Sequence, residues 1–373
     1  MRYYLIAGEA SGDLHGSNLM KALRAKDPDA SFRYWGGDLM QAEGGTLVRH
    51  IDSINFMGFW EVLKNGLAIF SAMRMCRRDI ASYRPDALVL IDYPGFNLRM
   101  AKYASTLGIR VFYYISPKVW AWNSSRVKTI KRYVDHMLAI LPFETDFYRQ
   151  YGYEVDYVGN PVADAVEARS CRGESAERFM ERTAIPARPI IAVLPGSRLQ
   201  EIHNCLPVML SLARHFEGYQ LVVAGAPSVG PSVYRKYTGD SVPVLFNETY
   251  ALLQQSAAAM VVSGTATLEA ALLGVPMVVC YRGSWLSYQI ARRFVRVRYI
   301  SLVNLIMERE VVRELIQEEM TADNIAAEMK SILFDAGYRH KMLEEMKSLE
   351  QVLGGPGASG RAAEKIAGCL GLD

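Results

Sequence analysis

The sequence has little of what marks a secreted, membrane-spanning or nucleic-acid-binding protein. Its five cysteines, in 373 residues, show no paired spacing, so neither a disulfide framework nor a zinc site is expected. The formal net charge is only +3, which argues against bulk binding to nucleic acid. No apolar run is long enough to span a bilayer, and a strand begins almost at Met1, so no signal peptide is expected. These absences favour a cytoplasmic protein.

The composition that is present is typical of globular proteins, with 50% hydrophobic and 22% charged residues. A chain of 373 residues exceeds one ordinary core, so we expect two domains. Short apolar runs alternate with turn residues and helical segments along both halves, which predicts α/β domains built on doubly wound parallel sheets. The predicted strands are residues 3–7, 87–91, 111–115, 137–141, 190–194, 221–225, 243–246, 257–262 and 277–281.

The domain boundary is expected at the Gly-Asn-Pro segment that ends near Asp164. Residues 1–164 then form an N-terminal domain, and residues 165–344 a C-terminal domain. A helix is predicted from about Thr321 to Leu353, where a Gly-Gly-Pro-Gly segment breaks it. The segment 345–373 is expected to return to the N-terminal domain, and its last helix also suits packing on a second copy in a homodimer.

The first predicted strand runs into a glycine-rich segment, residues 8–16, and the first helix is predicted to begin near Ser17. Glycines at such a turn let the backbone approach a ligand at the carboxyl edge of the sheet. The alternative, that the polar residues only cap the first helix, stays open. The candidate ligand-binding residues here are Glu9, Ser11, Gly12 and Asp13.

Asp92 directly follows the apolar strand 87–91, in the sequence Asp-Tyr-Pro-Gly-Phe-Asn. Carboxylates at the carboxyl ends of buried parallel strands lie where these folds place catalytic groups. Partial burial would raise the pKa of Asp92 and make it a better general base. Asn97 is expected to orient Asp92 or to bind ligand. An Asp that forms a turn before Pro94 is the alternative.

Two surfaces suit a lipid or an anionic ligand. Residues 54–63, which include Met57, are rich in large apolar side chains, and they form either core or an exposed patch for a greasy ligand or a membrane. Clusters of basic residues suit anionic substrates or membrane phosphates, and solvated helix faces are the alternative. These clusters are Arg126, Lys128, Lys131 and Arg132, and Arg292, Arg293, Arg296 and Arg298.

Two strand ends in the C-terminal half suit phosphate. Ser197 and Arg198 follow the strand 190–194 across a glycine, where an arginine is well placed to bind a phosphate in a bidentate manner. A surface arginine is the alternative, but a cation at a helix start opposes the helix dipole unless an anion accompanies it.

The second phosphate-type turn is Ser263-Gly264-Thr265, between a predicted strand and a predicted helix. Free N–H groups and the positive helix end favour a phosphate there. Glu269, about one turn into that helix, is placed to reach a sugar hydroxyl, or it only complements the helix dipole. The later segment 300–306 is predicted to be a weakly polar loop or strand, in which Asn304 is the residue suited to hydrogen-bonding a ligand.

The motifs together resemble, in the same order, those of the lipid-A-disaccharide synthase family, within the GT-B class of nucleotide-sugar glycosyltransferases. The resemblance covers nearly the whole chain. The motifs are Ala7–Asp13, Met57-Gly58 with Glu61-Val62-Leu63, Ile91–Asn97, Ser116-Pro117 with Val119–Trp122, Leu141–Glu144, Leu194–Arg198, Ser263–Ala266 and Ser301-Leu302 with Asn304-Leu305.

This resemblance implies two Rossmann-like domains that face each other across a cleft, with the acceptor bound by residues 1–164 and the UDP-sugar by residues 165–344. It implies that UDP-2,3-diacylglucosamine is joined to 2,3-diacylglucosamine 1-phosphate with a β-1,6 linkage and inversion, without metal or cofactor, at the cytoplasmic face of the inner membrane. On this reading Asp92 is the base, Arg198 and the Ser263–Thr265 turn stabilise the leaving diphosphate, Glu269 binds the ribose and Asn304 a donor group. The Gly8–Asp13 turn would hold the acceptor, and the Met57–Leu63 patch would guide its acyl chains.

The chain departs from the family pattern at Gly95, where a second acid is often found, so that Asp92 would act alone. Three alternatives remain at this point. Another GT-B transferase would use a different acceptor. A UDP-sugar epimerase would need neither a lipid-facing patch nor a second sugar, and a non-catalytic UDP-sugar sensor would make Asp92 dispensable.

Overall fold

The computed structural model describes residues 1–53, 66–122, 124–284 and 298–372. The chain forms two compact units, Met1–Pro161 with Pro356–Asp373, and Val162–Gly355. The crossover therefore lies slightly before the expected boundary, and the chain returns at Pro356 rather than at residue 345. It returns later because the helix Ala336–Leu353 packs against the helix Thr265–Leu272 of the second unit.

The N-terminal unit is built on a seven-stranded sheet in the order β3-β2-β1-β4-β5-β6-β7, with every described pair parallel. The strands are β1 Arg2–Ala7, β2 Ser31–Gly36, β3 Thr46–His50, β4 Ala87–Ile91, β5 Arg110–Tyr114, β6 His136–Ala139 and β7 Asp156–Tyr157. Its described helices are Ala10–Lys26, Asp38–Ala42, Gly66–Tyr83, Pro94–Thr106, Val119–Trp122, Val127–Tyr133, Glu144–Arg149 and Ala358–Leu370.

The C-terminal unit repeats this plan with a six-stranded parallel sheet in the order β10-β9-β8-β11-β12-β13. The strands are β8 Ile190–Leu194, β9 Gln220–Gly225, β10 Val244–Phe246, β11 Ser256–Val262, β12 Met277–Tyr281 and β13 Glu314–Ile316. Its described helices are Pro161–Glu167, which begins at the boundary, Ala176–Thr183, Leu199–Leu210, Pro231–Thr238, Thr249–Gln254, Thr265–Leu272, Leu302–Met307, Ala322–Phe334 and Ala336–Leu353.

Helices cover both faces of the first sheet, which explains why its central strands are continuous apolar runs. Leu5 of β1 pairs with Val89 of β4, and both side chains enter one hydrophobic cluster, while Leu88 and Leu90 enter the other. Strands that bury both faces need no polar alternation. The C-terminal helix completes one of these clusters with Ala362, Ala363 and Ile366.

Three local predictions were wrong. The first helix begins at Ala10 rather than near Ser17, because Gly12 and Gly16 allow its close packing on Ala7 and Met40 instead of forming a turn. Residues 302–307 form a helix, capped by the Ser301 hydroxyl. The predicted helix from Thr321 to Leu353 is two helices, because the Asp335 side chain accepts a hydrogen bond from the backbone N–H of Tyr338 and starts a new one.

None of the described helices combines the length and the apolar character that crossing a bilayer requires.

Candidate active site

The chain order of the first sheet reverses between β1 and β4, so the two loops that leave these strands meet at its carboxyl edge. Open α/β sheets bind ligands at such a point. The loops touch closely, since a Cβ added to Gly8 after β1 would lie 2.4 Å from Cγ of Tyr93 after β4. Only glycine fits at position 8. The motifs Ala7–Asp13 and Ile91–Asn97, far apart in sequence, are therefore neighbours.

Asp92 is held at this edge by its backbone. Its N–H donates to the Tyr114 carbonyl at 3.1 Å, and its own carbonyl accepts from the Tyr113 hydroxyl at 2.6 Å and from Nδ2 of Asn97 at 2.8 Å. Asp92 and Tyr93 both have positive φ, at 44° and 49°. Non-glycine residues adopt this conformation only where their surroundings impose it. The bonds to Tyr113, Tyr114 and Asn97 supply that constraint.

The Asp92 carboxyl is half-buried, and its pKa is raised from 3.8 to about 6. Burial is the main cause, because it disfavours the charged form, and the negative charge of Glu9 adds to it. The charge of Lys118 and a backbone hydrogen bond from Tyr93 act in the opposite direction. A carboxylate with a pKa near 6 is ionised at neutral pH and can still accept a proton, which suits a general base.

Asn97 is fully buried, and its Nδ2 also lies 3.3 Å from the carbonyls of Ile6 and Ile91. Of the two roles considered for Asn97, these contacts favour orientation of Asp92 over direct ligand binding.

Asp13 is also buried, and it does not cap the first helix, so that alternative is wrong. Its carboxylate accepts from the backbone N–H groups of Gly37, Leu39 and Met40 at 2.6, 3.0 and 3.1 Å, at the start of the helix Asp38–Ala42. Asp13 thus fixes the loop after β2. Three donors on one carboxylate leave it poorly placed for a ligand hydroxyl.

The other three candidates of this loop stand at the first turn of the helix Ala10–Lys26. Glu9 precedes it in extended conformation and is half-buried, Ser11 is exposed, and Gly12 packs on Ala7. The free N–H groups of that first turn and the Ser11 hydroxyl are open to a ligand. The sequence suggested a flexible glycine turn, and the structure has a helix N-terminus instead.

In the C-terminal unit the chain order reverses between β8 and β11. After β8, Gly196 has a φ of 97°, and the Glu201 carboxylate accepts from the backbone N–H groups of Ser197 and Arg198 at 3.1 and 3.3 Å. This capping interaction fixes the turn. The Arg198 side chain is 68% exposed and lies 3.7 Å from Glu201, too far for a close hydrogen-bonded pair, so most of its donors face outward.

After β11, the helix Thr265–Leu272 begins directly at Gly264, and no side chain caps it. A Cβ added to Gly264 would meet no atom of the described residues within 4 Å, so there is open space beside this helix start. Ser263 donates its hydroxyl to the Ile300 carbonyl at 2.7 Å and thereby braces the turn, while Thr265 is exposed. An open helix N-terminus of this kind suits an anion.

Glu269 lies half-buried on the same helix, and burial raises its pKa to about 7. The Tyr250 hydroxyl donates to its Oε1 at 3.3 Å. One oxygen of this carboxylate has no hydrogen-bond donor among the described residues, which is consistent with the expected contact to a sugar hydroxyl.

Asn304 differs from the expectation. It is fully buried, its Oδ1 accepts from the N–H groups of Val311 and Val312 at 2.8 and 3.0 Å, and its Nδ2 donates to the Val312 carbonyl and to Glu314 at 2.8 and 2.9 Å. Its amide has no group left for a ligand. Direct ligand binding by Asn304 is therefore replaced by a structural role.

That structural role concerns Glu314, whose carboxylate also accepts from the backbone N–H groups of Ile300 and Ser301, both at 2.9 Å. Ile300 in turn accepts the Ser263 hydroxyl. Asn304 and Glu314 thus hold the loop against which the Ser263–Thr265 turn is braced.

The patch 54–63 with Met57, and Arg292, Arg293 and Arg296, lie outside the described residues. Among the residues that are described, no group of three or more His, Cys, Asp or Glu side chains is arranged to hold a metal ion. Sequence reasoning missed Tyr113, Tyr250 and Glu314. Tyr113 lay in the predicted strand 111–115, whereas Tyr250 and Glu314 lay in no predicted strand, and no motif singled them out.

Solved structures with a similar fold are enzymes that act on nucleotide sugars or transfer sugars. A UDP-GlcNAc 2-epimerase of Neisseria meningitidis bound to UDP-GlcNAc matches with a TM-score of 0.62 at 13% identity, over 100% of both chains. CalG4, the calicheamicin glycosyltransferase, matches with a TM-score of 0.61 at 15% identity, over 100% of this chain and 98% of the other. The fold is that of the GT-B glycosyltransferases and related epimerases.

The family model described as lipid-A-disaccharide synthetase matches residues 3–359. The lipid-A-disaccharide synthase of Myxococcus xanthus is 40% identical over 98% of this chain and 96% of its own, and that of Trichlorobacter lovleyi is 41% identical over 97% and 96%. The chain belongs to the lipid-A-disaccharide synthase family. It is a glycosyltransferase of lipid A biosynthesis.

Proposed function

We propose that this enzyme joins UDP-2,3-diacylglucosamine to 2,3-diacylglucosamine 1-phosphate, forming the β-1,6-linked disaccharide 1-phosphate and releasing UDP. The observation that carries the proposal is Asp92, a half-buried carboxylate whose pKa is raised to about 6 at the switch point of the first sheet. The attacking 6-hydroxyl has to lose a proton as it bonds to the anomeric carbon. Asp92 accepts it, acting without a second acid at Gly95.

The departing UDP is assigned to the C-terminal unit. Its diphosphate is stabilised by the exposed Arg198 guanidinium and by the free N–H groups at Ser263, Gly264 and Thr265. Ser197 belongs to the backbone turn that places Arg198 beside the diphosphate. The Glu269 carboxylate accepts a hydrogen bond from a hydroxyl of the ribose. In the proposed transfer the 6-hydroxyl displaces UDP directly from the opposite face of the anomeric carbon, which inverts that centre in one step. The donors neutralise the charge that forms on the leaving UDP, so no metal is required.

The acceptor is assigned to the N-terminal unit, where Glu9, Ser11 and Gly12 line the first turn after β1. The acyl chains and the cytoplasmic face of the inner membrane are assigned to the helix Gly66–Tyr83 and, from the sequence resemblance alone, to Met57. That helix exposes Phe70 and Met75 beside three exposed arginines, Arg74, Arg77 and Arg78. Apolar and cationic side chains on one surface suit an anionic lipid boundary.

A UDP-sugar epimerase is the second candidate, because one fold neighbour is a UDP-GlcNAc 2-epimerase bound to UDP-GlcNAc. An epimerase would change UDP-2,3-diacylglucosamine alone. A transferase consumes it only when the acceptor is present.

The test is a mass-spectrometric product assay with purified protein, both lipid sugars and excess EDTA. A tetraacyl disaccharide phosphate, formed only with both substrates, is the expected result. Loss of product in EDTA would contradict metal independence, and turnover of the donor alone would favour the epimerase. Light scattering of the same sample tests for a homodimer.

A further inference from the structure

Glu144 is a buried carboxylate to which the reaction described above gives no role. It is 1% exposed, at the start of the helix Glu144–Arg149. Its Oε2 accepts from the backbone N–H groups of Ile140 and Leu141 at 3.1 and 3.0 Å, and its Oε1 accepts from the indole N–H of Trp120 at 3.2 Å. One side chain therefore binds two different loops.

These loops leave neighbouring strands at the edge of the sheet that carries Asp92. Ile140 and Leu141 follow β6, and Trp120 follows β5, the strand that pairs with both β4 and β6. The Trp120 ring also packs edge-on against Phe143, with ring centres 4.9 Å apart. The loop after β5 is thus held from the side that faces away from β4.

The same loop is continuous with the residues that hold Asp92. Tyr113 and Tyr114 are the last residues of β5: the Tyr113 hydroxyl donates to the Asp92 carbonyl, and the Tyr114 carbonyl accepts from the Asp92 N–H. Ile115 then turns the chain with a φ of 68°. Ser116, which is buried, then lies 2.8 Å from the hydroxyl of Tyr148, a residue of the Glu144 helix. The helix Glu144–Arg149 therefore hydrogen-bonds to the segment after β5 at two residues, Ser116 and Trp120.

We propose that Glu144 is a positioning residue for the base: through Trp120 it fixes the loop after β5, and this loop fixes the end of β5, whose residues Tyr113 and Tyr114 hold the backbone of Asp92. The part of this inference that concerns catalysis rests on the proposed function of Asp92. The part that concerns the loop rests on the hydrogen bonds alone.

A role in stability alone accounts poorly for this arrangement. A buried carboxylate loses hydration, and well-packed apolar residues of similar volume often stabilise a fold as well or better. Burial raises the pKa of Glu144 to about 7, because the charged form has lost its hydration. The hydrogen bonds from Leu141, Trp120 and Ile140 lower this pKa but offset only part of the effect of burial. The carboxylate supplies what apolar packing cannot, which is directional bonds to three donors in two loops.

The test uses Glu144→Gln and Trp120→Phe, singly and together, in the full-length protein. Gln keeps the size of Glu144 but sets an NH₂ group against N–H donors, and Phe keeps an aromatic ring but removes the indole N–H. We expect kcat to fall by about tenfold to a hundredfold in each, as for a modest displacement of a catalytic group. KM for the donor should change less than about twofold, since uniform binding is untouched.

The kcat of the double variant should fall by about as much as that of the worse single variant, because both substitutions break the same hydrogen bond between Trp120 and Glu144. Additive losses would overturn the coupling. Glu328→Gln is the matched control, since Glu328 is a half-buried carboxylate that accepts from the Tyr338 hydroxyl at 2.6 Å in the other unit. It should lower the melting temperature and leave kcat unchanged. Equal kcat losses in Glu144→Gln and the control would reduce Glu144 to a stability role.

Hydrogen exchange separates this inference from the proposed reaction. In Glu144→Gln and in Trp120→Phe, the amides of residues 113–122 and of Asp92 should exchange faster, while Glu328→Gln should leave them unchanged. Unchanged exchange there in both variants would overturn the positioning role. Faster exchange in a protein that makes no disaccharide would keep the positioning role and reject the proposed function.

Discussion

The two units share a strand order but present opposite chemistry at their switch points. The N-terminal edge carries Asp92, a half-buried carboxylate whose pKa is raised by burial and by Glu9. The C-terminal edge carries Arg198, 68% exposed, and an uncapped helix N-terminus at Gly264. In each unit the strand order determines where the candidate site lies, at the carboxyl edge between β1 and β4 or between β8 and β11. The residues that follow these strands determine its chemistry.

The difference matches what the two proposed roles, proton transfer and diphosphate binding, would require. Proton transfer needs a carboxylate with a raised pKa, which desolvation and a like charge provide. Diphosphate binding needs unpaired donors, which an uncapped helix and an exposed guanidinium provide. The first site is therefore closed in by hydrogen bonds from Tyr113 and Asn97, and the second is left open.

Asp92→Asn is expected to give the largest effect. Without the base, turnover should fall by about 10²–10⁴-fold, the range for a lost general base, while UDP binds within a few fold of the original affinity. Single-turnover assays and UDP titration measure the two. Asp86→Asn, at the opposite end of β4, is the control and should keep full turnover. Normal turnover in Asp92→Asn would remove Asp92 as the base.

Arg198→Ala should act on the other edge. Loss of a charged hydrogen bond should weaken UDP binding by about 1.5–3 kcal/mol, measured by calorimetry. Arg235→Ala removes an equally exposed arginine, paired with Asp240 at 2.8 Å, and should leave UDP affinity unchanged. An unaltered UDP dissociation constant in Arg198→Ala would contradict diphosphate binding by this residue.

Asn304→Ala should affect stability first. It leaves the N–H groups of Val311 and Val312 without their acceptor, at a cost of about 1–3 kcal/mol in the free energy of unfolding. Denaturant titration measures this. Asn324→Ala, an exposed position where the amide donates to the Glu319 carbonyl, is the control with a smaller expected loss. If Asn304→Ala kept full stability but lost UDP affinity, Asn304 would be a ligand-binding residue and not a structural one.

The smallest expected effect is a shift of the pH profile. Asp92 has to be ionised to act, so kcat/KM should rise with pH through its pKa of about 6. Glu9→Gln removes a negative charge that raises this pKa, and the acid limb should move to lower pH. Lys118→Met removes a positive charge that lowers the pKa, and the limb should move to higher pH. Shifts in the reverse directions would show that another group controls the limb.

Much of the fold and of the candidate site was predictable because it depends on local pattern. Strands that bury both faces are continuous apolar runs, so most central strands, such as 87–91 and 190–194, were predicted within a residue or two. Short or mixed strands such as β2 and β13 were missed. The positions of Asp92, Arg198 and Ser263 at strand ends followed from the predicted strands, and the family followed from the order of the motifs.

The sequence by itself determined the α/β class, the family and the strand ends that carry the candidate site residues. These depend on apolar periodicity and on the order of the motifs, which are local properties of the chain. Only the tertiary structure decided what each polar side chain does. Asp13 accepts hydrogen bonds from the loop after β2, Asn304 bonds to Glu314, and Glu144 accepts a hydrogen bond from Trp120. Hydrogen bonds join groups that folding brings together, so a residue's type indicates what it can bind, and its packing determines which partner it has.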